Sequence, residues 1–96
     1  MVPPRFKTDS AIKTPDILFN VGVALINANR PEEAIVYFGK SVALDAAYAD
    51  GYFRRGLAYL QTAKTAEAKA DLKKFVELTP QGPEADLARK ALEQLK

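Results

Sequence analysis

Apolar residues recur along this chain with the period of an α-helix. On the first predicted helix, four residues at the spacing i, i+3, i+4 and i+7 share one face: Leu18, Val21, Gly22 and Leu25. Thr14-Pro15-Asp16 has the composition of a helix start, with a capping hydroxyl, a proline and an early acid. Pro31 and Pro83 open later helices in a similar way. The pattern predicts five helices joined by short loops, which is an all-α fold.

The predicted helices divide the chain into four parts. Residues 1–14 show no helical period and contain Pro3 and Pro4, so we expect an extended or frayed tail. The rest of the chain forms two units of two helices each and a single last helix: residues 15–48, 49–82 and 83–96.

The two units share one 34-residue pattern. Placing residues 15–48 on residues 49–82 without a gap gives nine identities in 34 positions. Average residue usage would give about two. Gly22 coincides with Gly56 in this alignment, although a glycine inside a helix costs ~1 kcal/mol relative to alanine. Its recurrence indicates that another backbone passes close to both positions.

This unit resembles the tetratricopeptide repeat (TPR), whose repeating element is a 34-residue helix–turn–helix. The family's signature positions carry these residues in the two units: Leu18, Gly22, Leu25, Ala34 and Phe38, then Tyr52, Gly56, Tyr59, Ala68 and Leu72. The chain departs from the family at Ala46, where a proline is usual, and at Phe75, where alanine is usual. The resemblance implies a right-handed α-solenoid of antiparallel helix–turn–helix units, with residues 83–96 as a C-terminal capping helix.

The composition excludes most catalytic chemistry. The sequence contains neither histidine nor cysteine, which removes the commonest general base and the thiolate ligands of zinc. Ser10 and Ser41 are the only serines, and neither has a base within reach by sequence. Glu32 and Glu33 begin a helix, where acids favour the positive end of its dipole. We therefore expect no enzymatic activity, no cofactor and no metal site.

Net charge and hydropathy indicate which classes of partner the chain is not expected to bind, namely nucleic acids and membranes. The net charge is +2, and the excess lies within residues 1–14, whereas nucleic-acid binding usually needs a clustered basic stripe. The longest apolar stretch, Ile17 to Ile26, is too short to span a bilayer. We expect neither nucleic acid nor membrane as a partner. The absence of cysteine favours the cytosol slightly and is also compatible with a periplasm, so the compartment stays open.

A second apolar stripe runs beside the first along the helices. A helix needs one apolar face to pack on its neighbour, so the second stripe indicates a second contact. The TPR resemblance implies that it lines the concave groove in which this family binds peptides, with Asn20 and Arg54 as polar members. The predicted partner-binding residues are Phe19, Asn20, Val23, Ile26, Phe53, Arg54, Leu57, Leu60 and Leu87.

The expected function is protein–protein interaction, with the groove accepting a hydrophobic or amphipathic helical segment. The family's carboxylate clamp uses a Lys and an Asn at the positions of Phe19 and Val23, so that clamp is not matched. If Phe53 anchors a partner, Phe53→Asp should abolish binding and preserve the helices; if Phe53 is core, the fold should be lost instead.

Two alternatives remain open. The chain could self-associate into a homodimer or a larger assembly, through the groove or through its uncapped N-terminal helix, because solenoids usually need about three repeats and polar caps. It could also be an accessory TPR fragment of a larger protein. The tail offers Val2, Phe6 and Ile12 as side chains that could cover the groove.

Overall fold

The computed structural model describes residues 14–95. Within that range the chain forms five α-helices: α1 (Thr14–Asn27), α2 (Pro31–Leu44), α3 (Ala49–Gln61), α4 (Thr65–Leu78) and α5 (Pro83–Gln94). Helices that follow each other in sequence also pack against each other, and α1 additionally touches α3. The predicted all-α solenoid of helix–turn–helix units is confirmed. Thr14, placed at the end of the predicted tail, is the first residue of α1, and the rest of that tail lies outside the described residues.

The turn inside each repeat has the same backbone geometry. Asn29 and Ala63, 34 residues apart, both have a left-handed backbone, with φ of 63° and 62°. The amide of Arg30 donates to the carbonyl of Leu25, and the amide of Lys64 donates to that of Tyr59, both at 2.8 Å. Asparagine tolerates the left-handed region well, whereas alanine adopts it at a cost of ~1–2 kcal/mol. The two turns therefore share one backbone geometry because they occupy the same place in the repeat, although Asn29 and Ala63 differ in their preference for the left-handed region.

The repeated glycines do lie at close helix contacts. Gly22 is buried against Phe38 of α2, and a Cβ atom built there would lie 2.5 Å from Cε1 of the Phe38 ring. A Cβ atom on Gly56 would meet Leu72 of α4 at 3.1 Å. Val21, predicted on the same face as Gly22, is 37% exposed and therefore only partly covered.

A buried cluster joins the second repeat to the last helix. Its members are Phe53 of α3, Leu72 and Phe75 of α4, and Ala85 and Ala88 of α5. The rings of Phe53 and Phe75 lie with centroids 4.7 Å apart, and Phe53 is only 5% exposed. The side chain of Phe53 therefore belongs to the core, which corrects its prediction as an exposed anchor of the groove.

An ion pair ties α3 to α4 at the edge of this core. Nε and Nη2 of Arg55 donate to the two carboxylate oxygens of Asp71 at 2.7 and 2.8 Å. The guanidinium also lies 5.9 and 5.7 Å from the ring centroids of Tyr52 and Tyr59. Hydrogen bonding to Asp71 raises the pKa of Arg55 despite its partial burial. Arg55 can thus be partly buried between α3 and α4 because Asp71 neutralises its charge.

Candidate partner-binding groove

An open concavity of about 220 Å³ lies between α1 and α3. It is lined by Ile26, Arg54, Leu57, Ala58 and Gln61, and we call this set the groove. Ile26 comes from the last turn of α1, and the other four come from one face of α3. The concavity thus joins three of the predicted site residues, Ile26, Arg54 and Leu57, across the two repeats.

The spacing of residues on α3 produces the wall of the groove. Arg54, Leu57, Ala58 and Gln61 stand at i, i+3, i+4 and i+7, which places their side chains on one helix face. Ala58 is 1% exposed, so the small residue forms the floor. A large side chain at this position would fill the concavity. Leu57 packs with its inner side against the buried cluster of the second repeat, which fixes its position.

The groove combines an apolar floor with polar groups at its margin. Ile26 and Leu57 are half-buried, whereas Arg54 and Gln61 are exposed. Arg54 differs from its neighbour Arg55, whose charge is committed to Asp71. Among residues 14–95, no ion pair engages the Arg54 guanidinium. The groove can therefore offer apolar contact, a cation with five hydrogen-bond donors, and an amide to a bound segment.

Phe19 lies in an aromatic contact beside the groove. Its ring centroid is 5.5 Å from that of Phe38 and 5.6 Å from that of Tyr48, so the half-buried ring packs against α2 and the following loop. The Tyr48 hydroxyl donates to Oδ1 of Asp16 at 2.6 Å. Burial and the Asp16 carboxylate raise the pKa of Tyr48 above its ordinary value. These contacts fix the start of α1 against the loop that precedes α3.

The other predicted residues lie outside the lining of the concavity. Val23 and Leu60 are half-buried, and Leu60 packs against the cluster around Phe53. Asn20 is exposed on α1, and Leu87 is 53% exposed on α5. Contact of any of these residues with a partner stays a prediction.

Ala58 and Gln61 were not among the predicted site residues. The signal for Ala58 was available, because Ala24 and Ala58 are identical at the same repeat position. Gln61 lies one helical turn beyond Leu57 on the face that the stripe defines. Ala58 could have been found by extending the apolar stripe to the small residues of its face, and Gln61 belongs to the polar margin of the same stripe.

The described residues were also compared with the requirements of a metal site and of a membrane-spanning helix, and they meet neither. In the part of the chain that the structure describes, no group of three or more acidic side chains is arranged to hold a metal ion. No helix between residues 14 and 95 has both the length and the hydropathy needed to cross a bilayer.

Known solved structures share this arrangement of helices. The first TPR domain of Spaghetti (RPAP3) bound to the HSP90 peptide SRMEEVD superposes with a TM-score of 0.78 at 29% identity, over 86% of this chain and 64% of that one. The first TPR domain of the human RPAP3 protein gives 0.77 at 29% identity, over 91% and 66%. The TPR domain of Arabidopsis OM64 gives 0.77 at 26% identity, over 83% and 66%.

Sequence comparison points the same way. Serine/threonine-protein phosphatase T of Trypanosoma brucei brucei is 30% identical over 73 residues, which is 76% of this chain but only 16% of the phosphatase. The chain thus spans about one sixth of that protein and about two thirds of the RPAP3 domains. The family profile of the tetratricopeptide repeat matches residues 15–48 and 49–81. The chain belongs to the tetratricopeptide repeat family.

Proposed function

We propose that this chain is a non-catalytic protein–protein interaction module, whose groove binds a hydrophobic or amphipathic helical segment of a partner. The observation that carries the proposal is the concavity between α1 and α3, with Ile26 and Leu57 beside the exposed Arg54. TPR domains are in general interaction modules, and one neighbour in fold is bound to a peptide. The phosphatase relative extends far beyond the match, so its catalytic activity is not carried over.

The volume of the groove suits side chains from a bound segment. The concavity measures about 220 Å³ and is open to solvent on one side. One or two large apolar side chains would fill that space and displace water from Ile26 and Leu57. Side chains at i and i+3 or i+4 of an amphipathic helix would meet the groove together.

The charge of Arg54 favours an acidic group in the segment. The peptide SRMEEVD in the RPAP3 complex combines acidic residues with methionine and valine. Here Phe19 and Val23 stand at the Lys and Asn positions of the family's carboxylate clamp, which leaves Arg54 as a single cation at the groove. We therefore propose a segment with two apolar anchors and one acidic residue, bound more tightly than SRMEEVD itself.

A peptide-display selection tests this function. A library of random helical peptides is selected on the 96-residue chain, and the enriched peptides are then measured by fluorescence anisotropy beside SRMEEVD. We expect enriched sequences with apolar residues at i and i+3 or i+4 and an acidic residue nearby. Arg54→Glu should weaken their binding at least tenfold and leave the fold intact, because Arg54 is exposed.

The matched control is Lys73→Glu, which makes the same charge reversal at an exposed position of α4 away from the groove. Leu57→Asn tests the apolar floor, with circular dichroism as a check on helical content. If Arg54→Glu and Lys73→Glu weakened peptide binding equally, the loss would come from the change in net charge and not from a contact in the groove. Failure to enrich any peptide, or binding unchanged by both groove variants, would contradict the proposed function.

A further inference from the structure

α1 has a third apolar face that is separate from the groove. Its members stand at i, i+4, i+7 and i+11, and we call this set the edge stripe: Ile17, Val21 and Ala24 of α1, and Ala28 directly after its last residue. At 100° per residue they span about 60° of the helix and lie roughly opposite Ile26. Ile17 is 51% exposed and Val21 is 37% exposed, and both alanines are exposed. The edge stripe is therefore an apolar surface at the N-terminal edge of the repeats.

In the second repeat, the equivalent face belongs to α3 and is covered. The residues of α3 equivalent to Ile17, Val21 and Ala24 are Gly51, Arg55 and Ala58. A Cβ atom on Gly51 would lie 2.7 Å from Cγ1 of Val42, and one on Gly39 would lie 3.2 Å from Nη1 of Arg55, so this face of α3 packs on α2. Gly51 is buried at this contact, and Ala58 is buried at the floor of the groove. The same face of α1 stays uncovered within the described residues.

At the C-terminal end of the repeats, the exposed face of α5 is charged. The positions of α5 that correspond to Leu18, Gly22 and Leu25, the residues of α1 that face α2, are Asp86, Lys90 and Glu93. All three are exposed. Stacking copies head to tail would bring this charged face against the edge stripe, which carries no charged group to compensate the loss of water around Lys90 and Glu93. The two ends are thus not complementary to each other.

The edge stripe is, however, complementary to itself. Its large residues lie near the start of α1 and its small residues near the end. When a second α1 runs antiparallel across it, Ile17 faces Ala28 of the partner subunit, and Val21 faces Ala24 of the partner subunit. Large residues opposite small ones let two helices interdigitate. Asp16 is the only charged residue of α1, and its carboxylate accepts a hydrogen bond from Tyr48, so like charges do not oppose this contact.

We propose that the edge stripe is the interface of a two-fold symmetric dimer, in which α1 packs antiparallel against α1 of a second copy. A close stack of the α2–α3 kind is disfavoured here, because Ile17 stands where Gly51 admits Val42. A two-fold contact of one surface with itself closes after two copies. A single helix pair buries less than a standard interface of ~1,600 Å², so the dimer should dissociate on dilution.

The first test is the mass of the 96-residue chain by light scattering over a hundredfold range of concentration. We expect a change from monomer to dimer with rising concentration, and a monomer throughout for Ile17→Lys. Leu87→Lys is the matched control, since Leu87 is 53% exposed against 51% for Ile17 but lies on α5. Val21→Lys is a second disrupting variant, and circular dichroism checks that each variant keeps its helices.

Single cysteines test the direction of the helices, because the chain contains none of its own. Mixed Val21→Cys and Ala24→Cys proteins should form the mixed disulfide dimer in at least threefold excess over either homodimer under mild oxidation. A parallel contact would instead favour the two homodimers. Disulfides form when Cα atoms come within about 7 Å, so the yield reports which residues face each other.

Several results would overturn the proposal. The wild-type chain could remain a monomer at every concentration, or Leu87→Lys could dissociate the dimer as strongly as Ile17→Lys. A monomer that is destabilised by Val21→Lys would indicate that a segment of the same chain covers the edge stripe. Because the edge stripe and the groove lie on different faces of α1, Arg54→Glu should not change the dimer, and this separates the proposal from the proposed function.

Discussion

Adding one methyl group at Gly22 tests the close contact between α1 and α2. A Cβ atom there would lie 2.5, 2.7 and 2.9 Å from three ring carbons of Phe38, a side chain with 0% exposure. Ordinary contacts of this kind begin near 3.4 Å, so the ring must move by up to about 1 Å. Overpacking of this type costs ~1–3 kcal/mol, against a gain of ~1 kcal/mol in helix propensity. We expect Gly22→Ala to lower the free energy of unfolding by about 1 kcal/mol.

Two other glycines provide matched controls for the same substitution. A Cβ on Gly56 would lie 3.1 Å from Cγ and Cδ2 of Leu72 and 3.3 Å from Cβ of Asp71, so these side chains must move by only a few tenths of an ångström. A Cβ on Gly39 would meet only Nη1 of Arg55, at 3.2 Å. We expect Gly56→Ala to be neutral within ~0.5 kcal/mol, and Gly39→Ala to stabilise by ~0.5–1 kcal/mol through helix propensity.

Urea denaturation followed by far-ultraviolet circular dichroism measures all three variants. A shift of 1 kcal/mol should also move the melting temperature by ~4–8 °C for a domain of this size. A double-mutant cycle with Phe38→Leu isolates the contact, since removing the ring should relieve most of the penalty at Gly22. The reasoning is refuted if Gly22→Ala is as stable as Gly39→Ala, or if the cycle shows no coupling between Gly22 and Phe38.

Three further predictions follow from individual contacts. Phe53→Ala should lower the free energy of unfolding by ~3–5 kcal/mol in urea, because the ring is buried against Phe75, and Phe53→Asp should unfold the chain; a stable Phe53→Asp protein would contradict its core position. Asp71→Asn should destabilise by about 2–3 kcal/mol, since it leaves the partly buried Arg55 without its anion. The double variant Arg55→Met with Asp71→Leu should recover most of this loss, and no recovery would contradict the ion-pair explanation. The raised pKa of Tyr48 favours its protonated form in the folded state, so stability should be complete below pH ~10 and fall above it. Tyr48→Phe should flatten that decline in alkaline urea titrations, and an unchanged slope would exclude Tyr48 as its cause.

Residues at the same repeat position have unequal environments in the folded chain. Phe19 and Phe53 are equivalent by sequence, and both were predicted to line the groove. Phe53 is buried beneath α4 and α5, whereas Phe19 packs at the side of Phe38 and Tyr48. The difference follows from the neighbours, because Phe53 packs with Phe75 of α4 and Ala88 of α5, whereas the positions equivalent to these two carry Ser41 and the exposed Arg54. Local periodicity carries no information about which neighbour follows.

The sequence alone determined the features that depend on near neighbours along the chain. Helix positions follow from apolar spacing and from the prolines at Pro31 and Pro83, and the glycine contacts follow from recurrence after 34 residues. These signals act within one or two helical turns, or repeat at a fixed distance, so a single sequence displays them.

The tertiary structure decided which apolar face of each helix is buried and which is exposed. Val21 shares its predicted face with Gly22 but is 37% exposed, whereas Gly22 is buried, and Phe53 was expected in the groove but lies in the core. The concavity itself exists only because Ile26 of one repeat meets Leu57 and Ala58 of the next. Helical period fixes the angles between side chains on one helix, but the crossing of separate helices sets which of those angles faces a neighbour.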